Sequence, residues 1–560
     1  MATTTTEFAR GRSSRSLLRT QLQTRPTHGS LARTLTAAAA ALACASGAGA
    51  TEFKFVPNVT VRETFTDNVG LATRGNERSD FITSVAPGFT VTRDSARLQL
   101  RASYSLQALF YLNNSSGASL SNFLDGSAHG TLIQDLLLFD ARASVNQQNN
   151  SLFGPQSTSN VNVNNNRVET RAYSISPYLE QRFGSVAIGQ LRYAHESINS
   201  GNVFGSGGAI NNAIGLGGNP LAVSNNGLGF GNSNTDRLTA TLSSGPVLRT
   251  FNWGALASTQ STRYSEGDAV RQSSVRVNAG YLIGPNLRAT AAAGYEKDTY
   301  VTIGDKPQGA LYNAGFIWAP SSRTNVTATA GHRFFGPTYA LDVSHRVRLA
   351  VFNLRYNEDI TSSQEQALSV QSTSTSDSLN QLLLSSIPDQ ATRQSTVNAL
   401  IQANNLPSNF VTANNALTNR YFLQKNLQAS IVATGIRNTV LGSLFVTRRE
   451  PQSNSLSPAF TTTRPFNAID DNSRSVGANG VWSYRLSPRT AASATLSYNR
   501  THSLTSDVTT NYKVASLSLS SAFQPKLNGA LELRHSVQNS NFIGGDVREN
   551  AITATVRMQF

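Results

Sequence analysis

Cysteine is almost missing from this chain: Cys44 stands alone among 560 residues, inside the N-terminal segment. Nothing after residue 50 can therefore form a disulfide or a thiolate metal site. Charged residues are scarce, at 14%, and mean hydropathy is -0.25. Long apolar runs are missing too, and none approaches the ~20 residues of a membrane-spanning helix. Seven histidines are present: His28, His129, His195, His332, His345, His502 and His535. None stands in a metal-spaced pair or a nucleophile motif. His195-Glu196 is the nearest approach to an acid/base site, and it reads first as a rim ion pair. An enzyme is not expected on these grounds, and neither a metal nor an organic cofactor is implied.

The N-terminus is that of an exported protein. Residues 1–34 carry Arg10, Arg12, Arg15, Arg19, Arg25 and Arg33 against one acid, Glu7. An apolar run, Leu35 to Leu42, leads to Ala48-Gly49-Ala50. A basic segment, an apolar segment and an A-x-A site make a signal peptide over 1–50, with Ala48 and Ala50 marking cleavage. The whole chain holds 47 basic and 32 acidic residues, a net charge of +15. Removing residues 1–50, with six Arg and one Glu, leaves about +10. A basic balance suits nucleic acid, anionic headgroups or an anionic solute. Export argues against nucleic acid.

An exported chain without helical spans can still cross a membrane with strands, whose alternation keeps mean hydropathy low. That alternation is present. Ile552, Ala554, Val556, Met558 and the terminal Phe560 share one face, opposite Thr553, Thr555, Arg557 and Gln559. Arg97, Gln99, Arg101, Ser103, Ser105 and Gln107 likewise alternate with Leu98, Leu100, Ala102, Tyr104 and Leu106. A period of two with one apolar and one polar face is a strand between two solvents. These runs reach ~10 residues, the length of a tilted membrane-spanning strand.

Tight turns at 93–95, 183–185, 284–286, 319–321, 487–489 and 524–526 alternate with long polar links. The pattern predicts one all-β domain over 51–560. It is a closed antiparallel transmembrane barrel of about 22 strands (18 to 22), with short periplasmic turns and long outer loops. Ile552, Val556, Met558 and Phe560 are the expected C-terminal signal for the barrel-assembly machinery. Aromatics near strand ends, among them Tyr111, Tyr281, Tyr300, Trp318 and Trp482, are expected as interfacial girdles. One link differs: within 361–418, Leu379, Leu382 and Leu383, then Val397, Leu400 and Ile401, fall at helical spacing. They predict a small helical insertion, either a constriction or gate inside the lumen or an ordered outer loop.

Two segments carry a resemblance. Glu63-Thr64-Phe65-Thr66-Asp67-Asn68-Val69-Gly70-Leu71-Ala72, followed by Ser79-Asp80-Phe81-Ile82-Thr83 and Ala86-Pro87-Gly88-Phe89, is one. Leu417-Thr418-Asn419-Arg420-Tyr421-Phe422-Leu423-Gln424-Lys425, after the helical insertion, is the other. Both resemble the outer-membrane β-barrel proteins of exosortase/PEP-CTERM systems. The resemblance implies a barrel linked to exopolysaccharide production and protein sorting in the Gram-negative outer membrane. It carries over no functional residue.

The expected function is a porin-like or export conduit in that membrane. Its lumen would favour anions, with Arg97, Arg101, Arg534 and Arg557 as selectivity residues and Glu532 as a local counter-charge. For each arginine the alternative is an ion pair that knits strands together. The expected partners are outer-membrane lipids, the assembly machinery, and an acidic polysaccharide or small anions, with self-association left open. A structural surface barrel or assembly scaffold is the alternative function. A gated active transporter of similar strand number would carry a large N-terminal plug domain, and here strand periodicity begins at Phe53.

Overall fold

A computed structural model describes residues 53–113, 119–149, 151–164, 166–202, 232–265, 269–300, 306–368, 421–453, 472–542 and 545–560. It also describes residues 379, 380, 383, 393, 396, 397 and 401. The predicted signal peptide, with Ala48 and Ala50, lies outside the described residues, as do 203–231, 402–420 and the helical-spacing residues Leu382 and Leu400.

Twenty-two strands make one sheet. They are β1 (Lys54–Thr66), β2 (Asp80–Asp94), β3 (Leu98–Tyr111), β4 (Ser119–Ile133), β5 (Leu137–Asn149), β6 (Arg167–Phe183), β7 (Ala187–Asn202) and β8 (Ser233–Ser244). Then come β9 (Phe251–Tyr264), β10 (Val270–Gly284), β11 (Leu287–Asp298), β12 (Gln308–Ser321), β13 (Thr324–Arg333), β14 (Gly336–Arg346) and β15 (Ala350–Ser362). A short helix, α1 (Ser363–Leu368), follows. The last strands are β16 (Tyr421–Thr434), β17 (Asn438–Pro451), β18 (Ser473–Arg485), β19 (Thr490–Ser503), β20 (Thr509–Gln524), β21 (Leu527–Ser540) and β22 (Val547–Gln559).

Each strand pairs antiparallel with the next, and β22 returns to β1, with Thr64 opposite Thr553 and Asn58 opposite Gln559. The expected closed 22-stranded barrel is therefore the observed fold. Closure pairs every wall strand on both sides and leaves no edge. Ten connections at one end are two to six residues long, and the other end carries the long ones. Gly184 and Asp135 supply left-handed backbone (φ 59° and 58°) for two tight turns. Four loop-end connections are equally short, β9–β10, β13–β14, β19–β20 and β21–β22, the tightest being β13–β14, where Phe334 and Phe335 alone join the strands.

The two faces of the wall separate by parity. On β1, Thr64 and Thr66 are buried while Phe65 between them is 36% exposed. Outside the wall runs an apolar belt. On β11 and β12 it comprises Leu287, Ala289, Ala291, Ala293 and Tyr295 with Trp318, Phe316, Ala314 and Tyr312. From Leu287 to Tyr295 is roughly 27 Å of strand at ~3.4 Å per residue, or ~20 Å of height at the usual tilt. That is close to the ~25 Å lipid-facing band of outer-membrane barrels. Tyr281, Trp318 and Trp482 are exposed at the turn side of the belt and Tyr193, Tyr295, Tyr312 and Tyr498 at the loop side. Two residues expected in the girdles are not there. Tyr111 points inward and donates to the Val161 carbonyl (3.0 Å). Tyr300 is buried and stacks on Tyr421, with ring centroids 4.8 Å apart.

Candidate functional site: a lumen entered by two loops

The insertion after β15 goes inward. Its described helical residues Leu379, Leu383, Val397 and Ile401 pack on Val351, Val432, Leu441 and Val481. Those four wall residues form one register row across β15–β18: Val351 opposite Val432, Val432 opposite Leu441, Leu441 opposite Val481. Their chain neighbours Phe352, Val440 and Trp482 are exposed on the belt. The row is therefore lumenal. It also lies near the turn end, whereas the insertion leaves the wall at Ser362, at the loop end. Val351, on which Leu379 packs, thus lies roughly 35 Å along β15 from Ser362, at ~3.3 Å per residue. Of the two readings left open by the sequence, the helical residues described here follow the lumenal one.

The sequence itself carries a signal for this row. A membrane strand should carry apolar residues on one face only. Val351-Phe352, Ile431-Val432, Val440-Leu441 and Val481-Trp482 are apolar on both faces. An apolar patch inside a water-filled barrel forfeits about 25 cal/mol per Å² unless something covers it.

α1 fixes the start of the descent. Ser362 and Glu365 make a capping box. The Ser362 amide donates to Glu365 Oε2 (3.2 Å), and the Glu365 amide donates to Ser362 Oγ (3.2 Å). Glu365 then reaches the β9 wall, where Gln260 Nε2 donates to its other carboxylate oxygen (2.9 Å). Gln366 donates to Gln424 on β16 and accepts from Arg449 on β17 (3.2 Å). Burial pushes the Glu365 carboxyl above its ordinary value, against the opposing effects of the Gln260 hydrogen bond and the Arg237 charge.

The β5–β6 link also folds inward, onto a different sector. Val161 packs with Val69, Ile82 and Leu109. Leu152 and Phe153 pack with Val508. The Gln156 amide donates to Gln538 Oε1 (2.9 Å) and Asn162 Nδ2 to Glu549 Oε1 (2.6 Å). Glu549 is the centre of this sector. It also accepts from Thr66 Oγ1 (2.8 Å) and from Arg534 (3.2 Å to one oxygen, 3.3 Å to the other). One carboxylate thereby ties β1, β21, β22 and the loop together.

The conspicuous Glu63–Ala72 segment belongs to the same closure. Thr64 bonds Thr553 (3.1 Å), and Asp67 accepts from the Asn550 amide and side chain (2.7 and 2.6 Å). Asn68 accepts from the Ala72 amide (2.8 Å) and donates to the Ala72 and Arg548 carbonyls (2.8 and 3.0 Å). The segment seals the barrel and shapes the floor on which Val161 rests.

The sequence-derived selectivity residues separate into three kinds. Arg101 and Arg557 have lumenal parity, are exposed, and form no ion pair among the described residues. Arg97 lies in the β2–β3 turn, with its carbonyl accepting from the Thr131 amide (2.9 Å). Arg534 is lumenal but only 9% exposed and is engaged by Glu549. Glu532 shares its face and is partly buried. At the C-terminal strand, Ile552, Val556, Met558 and Phe560 are all exposed on the belt side. His195 does not pair with Glu196, because neighbours on a strand face opposite ways. It meets Asp236 (2.8 Å) on the outer wall.

No family model matches the chain, and no curated protein sequence does. Solved barrels do. They include the siderophore receptor PirA from Pseudomonas aeruginosa, with 10% identity, 91% of this chain and 81% of that one covered, and a TM-score of 0.43. A mutant of the ferric enterobactin receptor PfeA from the same organism gives 11%, 91%, 82% and 0.44. The FrpB iron transporter from Neisseria meningitidis gives 9%, 90%, 81% and 0.44. At such identities and scores, the reading of this chain rests on its own residues.

Proposed function

We propose that this chain is a Gram-negative outer-membrane conduit that carries its own gate in the insertion after β15. The observation that supports it most is the lumenal row Val351, Val432, Leu441 and Val481, covered by Leu379, Leu383, Val397 and Ile401. A permanently open pore has no use for an apolar patch on its inner wall. The aliphatic part of this contact can part and re-form at a cost graded by surface area, while Glu365 and Gln366 tie the start of the insertion to Gln260, Gln424 and Arg449. The exposed Arg101 and Arg557 give the lumen a basic lining on β3 and β22, which favours an acidic polysaccharide or small anions as cargo. The likeness of the Glu63–Ala72 segment to the exopolysaccharide-linked barrels favours the larger cargo.

Single-channel recording tests this reading. The full chain in a planar bilayer is expected to be closed for most of the time. Replacing 369–418 by a short Gly/Ser linker should give a steadily conducting, anion-preferring pore. A folded barrel that stays silent in both forms would overturn the conduit and leave a structural surface barrel.

A further inference from the structure

The outer wall carries a row of charge that the conduit does not use. At one register level, Lys425 stands opposite Arg448, Arg448 opposite Arg474, and Arg474 opposite His502. These are neighbours on four consecutive strands, β16–β19. All have the outward parity, set by the exposed Leu427, Leu444, Val476 and Tyr498 of the same strands. Arg500 and Lys513 extend the set, two residues beyond Tyr498 and two before Ala515. Like charges directly opposite on neighbouring strands are destabilising. Something must offset them.

Among the described residues, acids do so only at the edges. Glu450 lies 2.8 Å from Arg448 and 3.6 Å from Lys425. Glu358 stands opposite Lys425, and Asp507 lies 3.7 Å from His502. In the middle, Arg474, Arg500 and Lys513 have neither an ion pair nor a side-chain hydrogen bond among the described residues. The β6 wall at the same end is different: outward Arg171 is matched by Glu169 at 2.6 Å.

Position decides which counter-charge these three groups can meet outside the described residues. Arg474 is two residues from the belt residue Val476, and Arg448 two residues from Val446. Side chains that long lay their methylene stems on lipid and lift their charges to headgroup height. Four strands at ~4.8 Å spacing span roughly 14 Å, room for a headgroup bearing more than one phosphate. Guanidinium groups match phosphate with paired N–H donors. We infer that β17–β20 bind, on the outer wall, a lipid whose headgroup carries phosphate, with Arg448, Arg474, Arg500 and Lys513 as its ligands. This rests on the membrane-spanning reading above.

The test uses the full chain, expressed in a Gram-negative host, extracted from the outer-membrane fraction in detergent and weighed by native mass spectrometry. Wild type should retain a phosphate-bearing lipid. Arg474→Gln with Arg500→Gln should retain about thirtyfold less, at ~fivefold per charge, while Arg171→Gln matches wild type. In a second arm, delipidated protein meets phosphatidylcholine vesicles doped with diphosphorylated lipid A or its dephosphorylated form. Only the former should bind, and inorganic phosphate should not displace it. Equal binding of both forms, displacement by inorganic phosphate, or an equal loss with Arg171→Gln would overturn the site. Folding is checked by heat-modifiable migration, and Lys513→Gln serves alone if the double variant does not fold. A chain absent from the outer-membrane fraction would refute the membrane reading itself, whereas one present there without phosphate preference refutes only this site.

Discussion

Two loops enter this barrel, and they are held by different physics. The insertion after β15 is tied at its start by Glu365 and Gln366 to Gln260, Gln424 and Arg449, and beyond α1 its described residues Leu379, Leu383, Val397 and Ile401 rest on an aliphatic row, Val351, Val432, Leu441 and Val481. The β5–β6 link also has apolar contacts, but it is bolted to the wall through Glu549, which accepts from Asn162, Thr66 and Arg534. Undocking aliphatic side chains costs surface area, and the cost is graded. Undocking from a buried, paired carboxylate strands polar groups, and each stranded group carries the full desolvation penalty. The first arrangement suits a gate and the second suits a fixed brace.

The largest expected effect breaks the brace. Glu549→Gln leaves Arg534 buried without its counter-charge, which costs about 3–5 kcal/mol. Because Glu549 joins the first and last strands, the loss should appear as a lower urea midpoint for the whole barrel, read by heat-modifiable migration. An unchanged midpoint would mean that the ion pair does not close the seam.

The second effect should fall on the gate alone. Leu379→Ala with Val397→Ala truncates two fully buried insertion side chains that cover the lumenal row. Each such truncation costs about 2–4 kcal/mol of docking. Open probability in planar bilayers should rise steeply while the urea midpoint stays with wild type. If the midpoint falls as it does for Glu549→Gln, the two loops are equivalent and the contrast fails.

The same contrast explains what could be read from the sequence. A strand announces the side of each residue through its period of two, so 22 strands, their closure and the lumenal parity of Arg101, Arg534 and Arg557 were all legible. Parity does not say what fills the lumen. Arg534 and Arg101 look alike in sequence, yet one is engaged by Glu549 and the other faces open space. The β5–β6 link, rich in Asn and Ser, reads as an outer loop. Only Leu152, Phe153, Val161 and Val163 hint that it folds in. The basic row on β16–β19 could not be seen before register was known, since its members lie in four separate segments.

A smaller effect concerns acid. Burial raises the Glu365 carboxyl in the docked state. In the undocked state it should return to an ordinary value of ~4.3. A raised value favours docking fully below ~4.3, and that contribution is lost as pH rises through the docked value. Opening should therefore increase with pH, by no more than one proton's steepness. Glu365→Gln, which keeps an acceptor for Gln260 and cannot ionise, should give a flat profile. A pH response that survives this change belongs to another group.

The smallest effect separates the arginines that the sequence could not. Arg101 and Arg557 are exposed on β3 and β22, so a charge there meets solvent-screened ions and contributes about 1 kcal/mol or less. Reversing both, Arg101→Glu with Arg557→Glu, in the pore whose insertion has been replaced, should shift the reversal potential toward cations by an amount equal to about a two- to fivefold change in permeability ratio. Stability should not change. Arg534→Gln should do the opposite, lowering the urea midpoint and leaving selectivity in place, because its charge is already neutralised by Glu549. Were Arg534→Gln to alter permeation as much as the exposed pair, the Glu549 sector would line the ion path and could not be the brace.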